Sequence, residues 1–325
     1  MTQPTMRIRG AADLIAAVPY LLGFHPTDSL TVTALRDARV TFAMRADLPA
    51  AGAPVDVVAA HADQVVTAIT RQDGITGVIL VGYGPAARVT PAVDATRDAL
   101  TAAGFAVRDA LRVTDGRFWS YTCHDPACCP ADGTPCHPDS SVLAAEATLA
   151  GMVALPSRTD LAAQIAAVDG DDRQRMSDAT TRALYEMAAL KPGADLTERG
   201  YAAVRQAHQC YEDGRALSDD EAAWLTILLQ YQEVRDYAGA LSSDHPSRLA
   251  LWTDITRRAE PGLVAAPASL LAYTAWQHGN GALALLAVDR ALDADPTYTL
   301  AHLIGEALQR SIPPSAVGSW PAERS

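Results

Sequence analysis

Strand-like patterns are confined to the first 155 residues of this chain, and everything beyond Pro156 carries the three-to-four-residue periodicity of helices. That switch predicts an α/β N-terminal domain over residues 1–155, with a mixed five-stranded sheet and a cysteine-rich loop. An all-helical, partly tetratricopeptide-like domain is expected over residues 156–325. Ser29 to Leu35 and Val40 to Ala46 alternate about Asp37-Ala38, which predicts a hairpin without the glycine that favours a tight turn. Val78 to Val81 is a continuous apolar run, as in a strand buried on both faces. Ala106 to Thr114 and Arg117 to Cys123 flank Asp115-Gly116 as a second hairpin. Helices are expected over residues 11–22 with a break at Pro19, from Pro54 to Ile69, and from Pro91 with Thr90 as N-cap. Right-handed crossovers would make the second, third and fourth strands run one way, with the first and fifth against them.

Beyond Pro156, helical patterns run through Met176 to Leu190, Tyr201 to Tyr211, Asp219 to Gln232 and Leu249 to Arg258. Ala268 to Ala294 reads as a helical hairpin hinged near Gly279. Ala272, Ala284, Ala291 and Pro296 fall where a tetratricopeptide unit places its small residues and terminal proline. Only one such unit is legible, and arrays need about three to stand alone, so a plain hairpin within a bundle is the competing reading. A chain of 325 residues, 49% of them hydrophobic, is long enough for two cores. Its net charge of −12 leaves no basic stripe to neutralise phosphate, which argues against nucleic-acid and anionic-membrane partners. The apolar run from Ala11 to Phe24 is interrupted by Asp13 and Pro19, and no small-residue cleavage site follows it. A cytoplasmic chain with neither signal peptide nor membrane span is therefore expected.

Reactive side chains concentrate in Cys123-His124-Asp125-Pro126-Ala127-Cys128-Cys129-Pro130, followed by Cys136 and His137. Four of the five cysteines lie within 14 residues. Thiolates and imidazoles this close suggest zinc, held by Cys123, Cys128 and Cys136 with His137 or His124 completing the shell. The spacing lacks a C-x2-C knuckle, and in extended backbone the adjacent Cys128 and Cys129 point to opposite faces. The expectation is accordingly no metal and no cofactor, with zinc as the alternative. A redox pair of Cys123 with Cys128 or Cys129 is a further reading, which a reducing cytosol disfavours. The plainest one packs Cys128 and Cys129 as small hydrophobes in a proline-rich loop, and Cys210 in a helical core.

His25 and Asp28 share the loop Gly23 to Ser29. They read either as a general base with its orienting carboxylate, or as a half-buried histidine beside an aspartate that caps local N–H groups. Gly82-Tyr83-Gly84-Pro85 ends a strand, where α/β sheets bind ligands. It lacks the lysine of a P-loop and the third glycine of a dinucleotide fingerprint, and no G-x-S-x-G elbow occurs in the chain. The candidate functional residues are thus His25, Asp28, Tyr83, Cys123, Asp125, Cys128 and Cys129. The His25 and Tyr83 loops are expected at the carboxyl edge of the sheet, with Cys123 emerging at the opposite edge.

Ala12-Asp13-Leu14, Val18 to Pro26, Asp28-Ser29-Leu30, Asp125 to Pro130 and the segment from Ala272 to Pro296 together resemble the actinobacterial family called domain of unknown function 4192. The resemblance covers nearly the whole chain and implies a high-GC actinomycete source, in keeping with Lys191 as the single lysine. It brings no activity with it. It also implies a cysteine motif of Cys123, Cys128 and Cys129 that ends near Pro130, outside which Cys136 and His137 fall. The function expected is that of a non-enzymatic ligand- or protein-binding regulatory protein, taking a small ligand at the sheet edge and a protein partner on its helices. The alternative is an enzyme, or a metal or redox protein, that uses the loop from Cys123 to Cys129.

Overall fold

Alternation along Ser29–Arg36 sends Leu30, Val32 and Ala34 to one face and Ser29, Thr31 and Thr33 to the other, and the strand they form, β1, is buried on both. In the computed structural model, which describes residues 8–317 apart from Ala38, His124, Asp139, Ser140 and residues 242–244, the chain divides into two units, Met1–Leu161 and Ala162–Ser325. In the first unit β1 lies between β2 (Arg39–Asp47) and β3 (Gly77–Tyr83), antiparallel to each. β3 pairs in parallel with β4 (Val107–Thr114), and β4 pairs antiparallel with β5 (Arg117–Ser120). β2, β3 and β4 therefore run one way, and β1 and β5 the other.

Among the described residues the sheet has six strands, in the order β2-β1-β3-β4-β5-β6, where five were expected. The sixth, β6, is Thr134–Pro135, which pairs with Phe118 and Arg117. Two residues carry no readable period, and Pro135, which has no N–H to give, suits an outer edge. The Asp115-Gly116 turn has both residues at positive φ, as a tight primed turn requires, and Asp37 supplies the same conformation in the first hairpin.

Two proline rules gave way to burial. Helix α1 (Ala11–Leu22) continues through Pro19, because Leu14 to Pro19 are all buried and that packing outweighs one missing hydrogen bond. Helix α3 (Ala86–Ala102) starts five residues before Pro91, and Thr90 bonds the Tyr121 hydroxyl at 2.7 Å instead of capping. Together with α2 (Val55–Thr70), α3 covers the Leu30 face of the sheet in one core that includes Val65, Ile69, Leu80, Val93 and Leu100. Gly82 is where α3 and β3 meet: a Cβ there would stand 2.2 Å from Val89 Cγ1. Its place near the end of β3 is explained by packing. α4 (Val142–Leu149) packs on α1, where the Tyr20 hydroxyl donates to Ala144 O at 3.3 Å, and a short α5 (Arg158–Ala163) follows.

The described residues of the second unit contain no strand. Its helices are α6 (Gly170–Ala188), α7 (Leu196–Glu212), α8 (Asp219–Leu228), α9 (Gln232–Ala240), α10 (Ser247–Arg258), α11 (Ala265–Gln277), α12 (Gly281–Ala294) and α13 (Thr299–Gln309). Every residue of α11 from Ala265 to Trp276 is buried, and α9, α10, α12 and α13 pack around it. Ser218 and Glu221 form a reciprocal capping box on α8. Among the described residues no helix is long and apolar enough to cross a membrane.

His208 of α7 is 4% exposed, with its ring edge-on to Trp252 of α10 and with no hydrogen-bond partner for Nε2 among the described residues. Burial, aided by the charge of Arg248, pushes its imidazole down to about 3. The unfolded chain takes up this proton near the ordinary histidine value of about 6.5. Between those two values the unfolded state holds more protons, so stability falls as the pH falls, by at most about 1.4 kcal/mol per pH unit. Urea denaturation from pH 6.5 down to 4 should show a shallower loss for His208→Leu than for the parent chain. Equal slopes would mean that His208 titrates freely in the native state.

Candidate functional site

β5 was expected to continue to Cys123 and instead stops at Ser120, whose hydroxyl accepts the N–H groups of Thr122 and Cys123 at 3.1 and 3.0 Å. A side chain that bonds the backbone two and three residues on takes those groups out of any ladder. Asp125 then folds the cysteine segment. Its Oδ1 accepts from Ala127 N at 2.9 Å, and its carbonyl accepts from Cys128 N and Cys129 N at 3.1 and 2.7 Å. This is a single helical turn, started by an Asp-Pro pair of the kind that initiates turns.

The turn overturns the assumption of extended backbone at Cys128 and Cys129. In a helical turn successive side chains diverge by about 100° rather than 180°, and the Sγ atoms of Cys123, Cys128 and Cys129 all lie within 4.8 Å of one another. Cys128 is exposed and the other two are half-buried. Cys123 and Cys129 hold their protons unequally. The N–H of Asp125, followed by the Cys129 and Cys128 thiols, holds Cys123 below the ordinary thiol range. Cys129, which donates to Cys123, is pushed up to about 12.

The remainder of the segment is strapped to β5 by its side chains. Trp119 Nε1 donates to Ala131 O at 3.1 Å, and Arg117 Nη1 donates to Gly133 O at 2.6 Å and pairs with Asp132 at 3.2 Å. Arg112 lies over the Trp119 ring, 3.7 Å from its centroid. Gly133, at φ +81°, rests on that indole so closely that a Cβ would stand 2.5 Å from Trp119 Cε2. The strap returns to the far end of the strand, where Cys136 N donates to Gly116 O at 2.8 Å. Cys123 and Cys136 are therefore tied to opposite ends of β5. Of the set Cys123, Cys128, Cys136 and His137, only the first two belong to the thiol group, and His124 lies outside the described residues. Cys136 is 5% exposed and close enough to Tyr83 to act on it electrostatically.

The remaining candidates sit elsewhere in the unit. Ser29 pairs with Tyr83, which places the loops before β1 and after β3 at one edge of the sheet. Asp28 Oδ1 accepts from Arg88 Nη1 at 2.6 Å, while the same guanidinium donates to Leu48 O and Pro49 O. The carboxylate thus ties its loop to α3. His25 donates its backbone N–H to Leu155 O at 2.8 Å and is not a member of the thiol group. The hydroxyl of Tyr83 has no hydrogen-bond partner among the described residues, and burial drives its pKa well above the ordinary tyrosine value.

Arg117, Trp119 and Ser120 are the residues that sequence reasoning did not single out. Ser120 carried a readable signal, as a serine followed by a short polar turn, whereas nothing local marks Trp119 as a platform. Gly133→Ala should lower the melting temperature, since the contact and the positive φ together cost about 1–3 kcal/mol. It should also speed alkylation of the otherwise protected Cys136, as read by mass spectrometry. An unchanged melting temperature and unchanged protection would show that the strap does not depend on this contact.

No curated protein and no solved structure matches the chain. The family model described as Domain of unknown function (DUF4192) matches residues 12–315, nearly the whole sequence, and the chain belongs to that family.

Proposed function

We propose that this is a non-enzymatic metal-binding protein whose α/β unit holds one thiophilic cation on Cys123, Cys128 and Cys129. The observation that carries the reading is the convergence of the three Sγ atoms within 4.8 Å. Three thiolates around a cation with bonds of about 2.3 Å stand roughly 4 Å apart, so capture needs only a small adjustment of the turn. The hydrogen bonds accepted by Ser120 and Asp125 and donated by Trp119 and Arg117 hold the turn before any ion arrives, which lowers the ordering cost of binding. A cytoplasmic setting, where thiols stay reduced, is part of the proposal, and the five free thiols support it. The tetratricopeptide-like reading of α11 and α12 is likewise a proposal, supported by the complete burial of Ala272, Ala284 and Ala291.

The test is titration of the reduced full chain with cadmium, followed by its sulfur-to-metal charge-transfer absorption. One ion per chain is expected. Cys123→Ser, Cys128→Ser and Cys129→Ser should each weaken binding by about tenfold or more, while Cys136→Ser and Cys210→Ser leave it unchanged. Binding that survives all three substitutions, or no absorption at all, would overturn the reading.

A further inference from the structure

We infer that the cysteine turn is a three-coordinate, all-sulfur site, and that its ion is monovalent copper rather than zinc; this rests on the metal-binding reading above. The donor count makes the distinction. Sulfur spacing cannot, because trigonal and tetrahedral thiolate shells both place their sulfurs roughly 4 Å apart. Among the described residues, the cluster that the fold assembles has three cysteines and no fourth metal-ligating side chain.

The carboxylate nearest in sequence, Asp125, already serves the fold: its Oδ1 accepts from Ala127 N and its carbonyl from Cys128 N and Cys129 N. Its carboxylate is not a member of the thiol group, and swinging Oδ1 toward the sulfurs would break its bond to Ala127 N. Cys136 is held at the other end of β5 by its bond to Gly116, and the strap between is locked over Trp119. Zinc prefers a closed tetrahedral shell in sites of this kind and would have to add a water here. Monovalent copper is soft and has a filled shell, and it is content with three thiolates. Binding moves no electrons. Three S–H bonds break, three Cu–S bonds form, and three protons pass to solvent, taking the charge from +1 on the free ion to −2 on the complex. Cys128, the exposed member, stands where an incoming ion or a competing thiol would meet the cluster first.

The experiment uses the reduced full chain under nitrogen. Copper(I) is supplied as the complex of a colorimetric chelator, zinc is titrated in parallel, and X-ray absorption counts the sulfurs. The expected result is one copper per chain with three sulfur neighbours, held tighter than zinc by about a hundredfold or more. His124→Ala should leave copper affinity and the sulfur count unchanged, and Cys136→Ser should do the same. Two sulfurs instead of three, zinc held as tightly as copper, or a loss of affinity in His124→Ala would overturn the inference. If zinc binds in a four-coordinate shell, the metal-binding reading stands and three-coordination falls. If neither ion binds, both fall together. Far-UV circular dichroism of each variant shows whether the fold has survived.

Discussion

The first unit is organised around a single strand. β1 is paired on both sides and covered on both faces, so its register with β3 fixes which side chains meet the helices. A slip of one residue would turn Leu30, Val32 and Ala34 out of the core and bring Ser29, Thr31 and Thr33 into it. The same register sets Ser29 opposite Tyr83 and so assembles one edge of the sheet from two distant loops. β4 is added in parallel through the α3 crossover, and the hairpin to β5 brings the chain to the edge where the cysteines lie. Everything in the candidate site hangs from that outer hairpin.

A segment rich in proline, glycine and small residues ordinarily has many conformations, and here named contacts restrict it. Ser120 ends the strand and Asp125 winds the turn. Trp119 and Arg117 then pin the return leg, which closes on Gly116. Each of these bonds is worth only about 1 kcal/mol by itself. Acting on adjacent residues, they leave the thiols little freedom to separate. The opposite shifts of Cys123 and Cys129 follow from the turn: the Asp125 N–H and then the neighbouring thiols favour the charged form of Cys123, while Cys129, as donor, keeps its proton.

Much of the fold was legible because it is local. Asp115-Gly116 predicted its own turn, and the alternation in β1 and β2 predicted theirs. Helical periodicity beyond Pro156 announced an all-helical half. The errors share a cause: Pro19 and Pro91 were read by a local rule, and the helices that contain them are held by burial against distant residues. β6 was missed because two residues have no period, and it exists only where Arg117 and Phe118 offer a free edge. For the site, sequence supplied the cysteines and Asp125, but it took Cys128 and Cys129 to point apart.

The sequence by itself determined the inventory and the local grammar. It set the change from period two to period three and a half, the turn residues that can take positive φ, and the four cysteines within 14 residues. Tertiary structure decided which of those cysteines are neighbours. Cys136 stands seven residues from Cys129 along the chain and Cys123 six, yet Cys136 is bonded to the opposite end of β5 beside Tyr83. The reason is physical: a loop's path depends on where its two ends are anchored. Those anchors, Ser120 and the turn residue Gly116, bracket a strand whose hairpin is placed in the sheet by the pairing of β4 with the distant β3.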